Sequence, residues 1–168
     1  MKKKVLVCYA SRYGSTMEIA EAIAEELEKK GIFTEVSRVE DIQIIEGFDA
    51  VVLGSPLYMG KMMAEAREFV HKFRGPLNSV PLFVFIAGYT FRERLAEYLK
   101  SGEDAVDAIR LYVNPEDTGY FAGRVDPDRV SSPDRAILIM GGVHPGDFRD
   151  WDRINKWADQ IGERILPG

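Results

Sequence analysis

The sequence predicts an open α/β fold in which helices cover both faces of a parallel sheet. Short apolar runs alternate with amphipathic helical segments, and the connections between them are short. Most of the apolar runs are continuous rather than alternating, as is typical of strands buried on both faces. The length of 168 residues favours one domain, 1–168. Folds of this class bind ligands beyond the carboxyl ends of their strands.

The first three elements follow directly from the residue pattern. The run KKVLVCYA (3–10) predicts a buried strand, and residues 16–30 place apolar side chains on one face of a helix. Gly31 is expected to end that helix. The run IFTEVSRV (32–39) alternates apolar and polar residues, which predicts an edge strand with one open face.

The remaining elements continue the alternation. In chain order they are a strand at 49–56, a helix at 62–73, a strand at 81–88, a helix at 92–109, a strand at 118–125 and a final helix that begins near Trp151. The prediction thus comprises five strands and four helices, with no helix between the second and third strands and one long interruption before the last helix.

That interruption, the 126–150 segment, delays the final helix by about 25 residues. We predict a short helix in it, with Ser132 as the N-cap, Pro133 at the first helical position and Gly141 as the stop. Insertions of this length are often functional or mobile. The apolar run AILIMGG within it either packs on the sheet or offers an apolar surface to a porphyrin, a quinone or a membrane.

Composition and charge narrow the class of partner. The net charge is −5 and no dense Lys/Arg block occurs, which argues against nucleic acid or an anionic membrane as the main partner. No apolar run approaches the roughly 18 residues of a membrane span, so at most peripheral membrane contact is expected. The single cysteine, Cys8, lies in an apolar run and fits a reducing cytoplasm, which predicts a cytoplasmic protein.

The turn SRYGST (11–16), between the first strand and helix, is the main candidate site. It lacks the second glycine and the lysine of a Walker A loop and the pattern of a dinucleotide fingerprint. Gly14 stands where a phosphatase loop that starts at Cys8 needs arginine, and the acidic residues of a receiver domain are absent. These four kinds of site are therefore excluded.

Two interpretations of the turn remain, and they are compatible. Ser11, Ser15 and Thr16 offer hydroxyls, Gly14 permits a tight turn, and the amides at the start of the helix favour an anion. Alternatively, Ser15 and Glu18 form a capping box, which satisfies the helix N-terminus without a ligand.

The three hydroxyls of Ser-x-x-Gly-Ser-Thr after a first strand resemble the FMN phosphate loop of flavodoxins. The stretch DAVVLGSPLYMGKM (49–62) is similar to the third strand and flavin loop of that family. YFAGRVD (120–126) and GDFRDWDRINKWADQI (146–161) resemble the branch that contains the menaquinone-dependent protoporphyrinogen oxidases. The resemblance spans essentially the whole chain.

The resemblance implies a flavodoxin-like three-layer sandwich with a five-stranded parallel sheet of order 2-1-3-4-5 and one non-covalent FMN. Many flavodoxins have threonine and asparagine where this loop has Ser11 and Ser15. Tyr58 and Tyr89 are the aromatic candidates beside the flavin ring, and Arg12 either adds charge at the phosphate or points into solvent. The cofactor-binding residues that the resemblance implies are Ser11, Arg12, Tyr13, Gly14, Ser15, Thr16, Ser55, Pro56, Leu57, Tyr58, Met59, Gly60, Ala87, Gly88, Tyr89 and Thr90.

Two functions are compatible with such a protein. The first is an FMN-binding electron carrier between partner proteins or small redox molecules. The alternative is a flavoenzyme similar to the protoporphyrinogen oxidases, which passes electrons from a small substrate to a quinone. No Cys, Ser–His or paired-carboxylate arrangement indicates further catalytic groups, and no metal site is expected. The oligomeric state and the choice between carrier and enzyme stay open.

Overall fold

A computed structural model describes residues 2–166 of the chain. Its strands are β1 Lys4–Tyr9, β2 Phe33–Arg38, β3 Ala50–Tyr58, β4 Lys61–Met62, β5 Leu82–Ala87, β6 Asp117–Phe121, β7 Arg124–Val125 and β8 Gly146–Asp147. Five of them form a parallel sheet in the order β2-β1-β3-β5-β6, and β4 pairs antiparallel with the end of β3. Because β4 is only a short return of the chain, this is the predicted order 2-1-3-4-5.

The helices cover both faces of this sheet. They are α1 Ser15–Lys29, α2 Ala64–Lys72, α3 Arg74–Leu77, α4 Ala96–Arg110, α5 Ser132–Met140 and α6 Trp151–Ile165. α1 and α6 pack on one face and α2 and α4 on the other, so that two hydrophobic clusters flank the strands. The predicted three-layer sandwich is therefore confirmed. Within residues 2–166, no helix combines the length and the apolar character that a membrane crossing requires.

The central strands have the burial that their sequences predict. In β1 every residue after Lys4 is buried, and all six residues of β5 are buried. β2 lies at the edge, where it pairs only with β1. Phe33 and Val36, which point to opposite faces, are both exposed, so both faces of the edge strand are open rather than one.

Four predicted boundaries are wrong. The predicted fifth strand ends at Phe121, and β7 leaves the sheet to pair antiparallel with β8. The helix predicted at 62–73 begins two residues late because Met62 belongs to β4. The helix predicted at 92–109 begins at Ala96, after a 3-10 turn at Tyr89–Arg92. The short helix in the 126–150 segment is confirmed as α5, but its cap is Ser131, whose hydroxyl accepts a hydrogen bond from the Asp134 amide.

Candidate functional site

The first loop, between β1 and α1, is shaped by a serine side chain and a glycine. The Gly14 amide donates a hydrogen bond to Ser11 Oγ over 2.9 Å, which closes the turn. Gly14 has a φ of 89°, a conformation in which a side chain would be strained. The loop therefore holds a compact shape at the carboxyl end of β1.

The first turn of α1 presents hydrogen-bond donors at this loop. The amides of Ser15, Thr16 and Met17 stand at the helix N-terminus, where they have no intrahelical acceptor. Thr16 is only 2% exposed, and it lines the cavity described below with a hydroxyl as a further donor. The positive end of the helix dipole acts at the same place. This arrangement of neutral donors fits a phosphate group.

The capping box considered for this turn is wrong. α1 starts at Ser15, and Gly14 occupies the cap position. Ser15 Oγ instead accepts a hydrogen bond from the Arg124 amide over 3.0 Å. The Glu18 carboxylate lies 3.0 Å from Arg124 and 2.8 Å from Arg149. Glu18 therefore joins α1 to Arg124, just before the 126–150 segment, and to Arg149, near its end, whereas Ser15 contacts Arg124 alone.

The second loop is a tight hairpin between β3 and β4. Its two turn residues, Met59 and Gly60, have φ values of 51° and 77°, as a type I′ turn requires. Among residues 2–166, Met59 is the one non-glycine residue with a positive φ. Ser55 is fully buried, and its Oγ accepts a hydrogen bond from the Met63 amide over 2.9 Å. Ser55 thus fixes the shape of the loop.

The third loop, after β5, is the 3-10 turn that contains Tyr89. The Tyr89 hydroxyl accepts a hydrogen bond from the His144 amide over 3.3 Å. The Tyr89 ring meets Phe148 edge to face, with 5.3 Å between ring centroids. The third loop therefore contacts the 126–150 segment through both the ring and the hydroxyl of one side chain.

The three loops surround one cavity of about 370 Å³, within the range of cofactor pockets. Fourteen of the sixteen predicted site residues line it, all except Gly14 and Ser55. These two residues shape the loops instead: Gly14 through its positive φ and Ser55 through its buried hydroxyl. The residues on the cavity wall are Ser11, Arg12, Tyr13, Ser15, Thr16, Pro56, Leu57, Tyr58, Met59, Gly60, Ala87, Gly88, Tyr89 and Thr90.

The carboxylate of Asp134, in α5, is a polar centre on the cavity wall. Asp134 is 6% exposed and accepts a hydrogen bond from Arg12 Nε over 2.7 Å. Tyr58 donates its hydroxyl proton over 2.9 Å, and the Tyr13 hydroxyl donates a third hydrogen bond. The hydrogen bonds from Tyr13 and Arg12 lower the pKa of Asp134 to about 2. The carboxylate is therefore ionised at neutral pH.

Arg12 has a partner in the structure that the sequence did not suggest. Its guanidinium is paired with Asp134, and it also lies over the ring of Tyr58 at 4.7 Å from the centroid. One side chain of the first loop thus contacts both the second loop and α5. A cation held in this way orders the cavity wall.

A second ion-pair group anchors the two ends of the 126–150 segment. The side chain of Arg149 is 4% exposed and lies 2.7 Å from Asp147 and 2.8 Å from Glu18. Arg149 lowers the pKa of both carboxyls through these hydrogen bonds. The antiparallel β7–β8 pair lies beside this group. The two ends of the 126–150 segment are therefore held next to each other, and we call this region the base of the segment.

Of the two alternatives for the apolar run of α5, packing on the sheet is wrong, because the helix lies over the cavity. Ile137 and Leu138 line the cavity. Ile139 and Met140 are 70% and 88% exposed. The helix therefore buries little apolar surface and leaves an apolar rim beside the cavity.

Most of the wall that follows β6 was not predicted from the sequence; of its residues, Ile137 and Leu138 belong to the run AILIMGG, which was considered as an apolar surface. The residues of this wall are Gly123, Arg124, Val125, Asp126, Arg129, Val130, Asp134, Ile137, Leu138 and Val143. The available signal was the position of the 126–150 segment directly after the fifth strand, since the carboxyl ends of parallel strands share one edge. No local pattern marks Asp134, because its partner Tyr58 lies 76 positions away.

A family model described as a flavodoxin domain matches residues 6–150. The chain belongs to the flavodoxin-domain family. The protoporphyrinogen IX dehydrogenase (quinone) of Escherichia coli strain K12 is 38% identical to this flavodoxin domain over 153 residues, which cover 90% of this chain and 75% of the relative. A flavodoxin of Maridesulfovibrio salexigens is 24% identical over 171 residues, which cover 96% of this chain and 99% of the relative.

Solved flavodoxin structures share this fold. A variant of Fusobacterium nucleatum flavodoxin bound to flavin mononucleotide superposes with a TM-score of 0.58 at 16% identity, covering 97% of both chains. The cavity of this flavodoxin domain lies at the carboxyl ends of β1, β3 and β5, where folds of this order bind their ligands. The family, the fold and the place of the cavity thus agree on a flavodoxin-like redox protein.

Proposed function

We propose that this flavodoxin domain binds FMN non-covalently in the cavity and transfers electrons through it. The supporting observation is that an anion-binding helix N-terminus and two further loops line the same cavity. FMN joins a phosphate to a large planar ring system, so its binding needs both an anion cradle and an extended wall. One related structure is a flavodoxin with this nucleotide bound.

The residues have distinct roles in this proposal. The amides and hydroxyls of 11–16 hold the phosphate, while 55–60 and 87–90 flank the ring system with Tyr58 and Tyr89 as aromatic contacts. Bound FMN supplies reversible electron transfer, and the chain binds it, orients it and limits its contact with water. We also propose that the 126–150 segment is an insertion within a single flavodoxin-like domain.

A second candidate function is oxidation of a small substrate with a quinone as the electron acceptor. The observation that favours it is the position of α5, which puts Ile137, Leu138 and the nearby Val143 on the cavity wall. An apolar wall beside the flavin suits a planar apolar molecule better than it suits a polar protein surface. The Escherichia coli relative is named as a dehydrogenase of protoporphyrinogen IX that uses a quinone. A carrier that docks to a partner protein is the simpler alternative.

The absorption spectrum of the purified protein tests the binding of FMN. We expect yellow protein with two flavin bands and a stoichiometry near one FMN per chain after reconstitution. Colourless protein that takes up no added FMN would contradict the proposal. Riboflavin, which has the same ring system without the phosphate, is the matched control ligand.

Turnover separates the enzyme from the carrier. Reoxidation of the reduced flavin by a menaquinone analogue is followed with and without protoporphyrinogen. Sustained porphyrin formation that depends on the quinone supports the second candidate. Quinone reduction that porphyrinogen leaves unchanged supports a redox protein with another donor.

A further inference from the structure

We propose that Asp134 is a positioning residue that fastens α5 over the cavity and thereby slows the release of FMN. The proposal rests on the proposed function for its ligand, but the fastening itself is a property of the chain. Asp134 is not among the residues that the family resemblance implies for the flavin site. Its role follows from the contacts of its carboxylate.

Three donors from two separate loops converge on this carboxylate. Arg12 and Tyr13 come from the first loop, and Tyr58 comes from the second. The helix cap adds a local contact, since the Asp134 amide donates to Ser131 Oγ over 3.4 Å. A charged acceptor that is nearly buried and fully partnered makes stronger hydrogen bonds than a neutral one.

Apolar burial contributes little to the docking of α5. Asp134 is the one residue of the helix that is buried, while Ile139 and Met140 are largely exposed. Since hydrophobic stabilisation scales with the apolar area removed from water, the helix has little of it. The polar contacts of Asp134 therefore decide whether α5 stays against the loops.

The far ends of the segment are held independently of this contact. Arg149 pairs with Glu18 and Asp147, and β7 pairs with β8. Loss of the Asp134 contacts therefore frees the first turn of α5, while the two ends of the segment and the contacts of Tyr89 with His144 and Phe148 stay in place. Asp134 is the main polar contact between α5 itself and the first two loops.

The isosteric substitution Asp134→Asn removes this fastening with little change in volume. An amide keeps one acceptor oxygen and turns a donor towards a site where three donors already converge. It also removes the charge that pairs with Arg12. The matched control is Asp128→Asn, which makes the same charge change in the same segment at an exposed residue without a side-chain partner among residues 2–166.

Two measurements test whether Asp134 holds α5 against the loops. Hydrogen–deuterium exchange of the amides at 135–141 is followed with and without FMN, and the FMN dissociation rate is followed by the recovery of free-flavin fluorescence. For Asp134→Asn we expect both rates to rise roughly tenfold or more, because charged hydrogen bonds are lost. Amide exchange in β1 is expected to stay at the wild-type rate in every variant. FMN is expected to dissociate from Asp128→Asn at the wild-type rate.

A double-mutant cycle with Arg12→Gln shows whether the two residues act through each other. If they do, the double variant should have nearly the same exchange and dissociation rates as Asp134→Asn alone. If the two residues act independently, the fold-increases of the two single variants should multiply in the double variant to within about twofold. If Asp134→Asn does not fold, Tyr13→Phe removes one of the three hydrogen bonds and is expected to give a smaller rise in the same two rates.

The outcomes separate the fastening from the binding of FMN. Wild-type exchange at 135–141 in Asp134→Asn, or multiplying rates in the cycle, would overturn the proposal. If no variant binds FMN, the proposed function fails, and the exchange of α5 still decides the fastening. Fast exchange of α5 with an unchanged FMN dissociation rate would overturn the claim that Asp134 retains the flavin.

Discussion

Arg12 Nε lies 2.7 Å from the carboxylate of Asp134, although 122 positions separate the two residues along the chain. Arg12 belongs to the loop at the N-terminus of α1, and Asp134 belongs to the helix that lies over the cavity. The contact arises because β1 and β6 end at the same edge of the sheet. The charge of Asp134 in α5 is therefore coupled to the charge of Arg12 in the first loop.

The stability that Asp134 provides should depend on pH in a defined window. Its pKa is about 2 in the folded protein, compared with about 3.9 in an unfolded chain. A lowered pKa stabilises the fold above the unfolded value, and this contribution disappears as the pH falls through the folded value. The difference in unfolding free energy between wild type and Asp134→Asn should therefore be constant above about pH 5 and shrink between about pH 4 and pH 2.

Urea unfolding at a series of pH values measures this difference, with Asp128→Asn as the control. The control should follow the wild-type curve at every pH because Asp128 is exposed. A wild-type advantage over Asp134→Asn that persists unchanged at about pH 2 would contradict the assignment.

Gly14→Val tests the first loop. At a φ of 89° a β-branched residue is strained, so the loop must rearrange and the amides at the start of α1 lose their alignment with the phosphate. FMN affinity is expected to fall roughly tenfold or more. Fluorescence titration with FMN measures the dissociation constant.

The control for this substitution is Gly31→Val, at the other end of α1. Gly31 has a φ of 84° and does not line the cavity. It should lower stability through the same strain and leave FMN affinity unchanged. An equal loss of affinity in the two variants would show that the effect is general destabilisation.

Ile137→Ser tests the apolar wall as a contact for small redox partners. Ile137 is 45% exposed on the cavity wall, and removing its apolar side chain is expected to raise the KM for a menaquinone analogue about threefold to tenfold. The rate with ferricyanide, a polar acceptor, should change little. Steady-state kinetics with each acceptor measures how differently the substitution affects the two reactions.

Leu111→Ser is the matched control, since Leu111 is an exposed apolar residue that follows α4 and does not line the cavity. It should leave both acceptors unaffected. An unchanged KM for the quinone in Ile137→Ser would contradict the prediction that the apolar wall contacts the quinone.

Gly102→Ala tests the packing behind the third loop. Alanine favours a helix over glycine by about 1 kcal/mol, but a Cβ at Gly102 would lie 2.6 Å from the ring of Tyr120 and 2.9 Å from Phe91. Overpacking of this kind costs about 1–3 kcal/mol. We therefore expect a net loss of unfolding free energy in urea, whereas exposed Glu103→Ala should change it by a few tenths of a kcal/mol at most.

The sequence predicted the parts of the molecule that depend on local patterns. The buried strands β1, β3 and β5 are continuous apolar runs, and α1 carries its apolar face at helical spacing, so burial alone specifies them. The loop residues on the cavity wall followed from the family resemblance. The helix α5 was predicted from Pro133 and Gly141, which mark its two ends.

The remainder depends on contacts between distant segments. Ser15 and Glu18 have the spacing of a capping box, but Arg124 and Arg149 offer them partners that no local pattern reveals. The fifth strand was predicted too long because GRV is compatible with an extended chain, whether in the main sheet or in the separate β7–β8 pair. In the sequence, Asp134 looks like an acidic residue that only stabilises the N-terminal turn of α5. Its contact with Tyr58 arises only in the folded chain.

The most direct test of the central claim compares FMN with riboflavin in fluorescence titrations of the wild-type protein. The ring system is common to both ligands, so the difference isolates the phosphate and the donors of 11–16. We expect saturable one-to-one quenching by FMN and at least roughly hundredfold weaker binding of riboflavin. Equal affinity for the two ligands, or no binding of FMN, would contradict it.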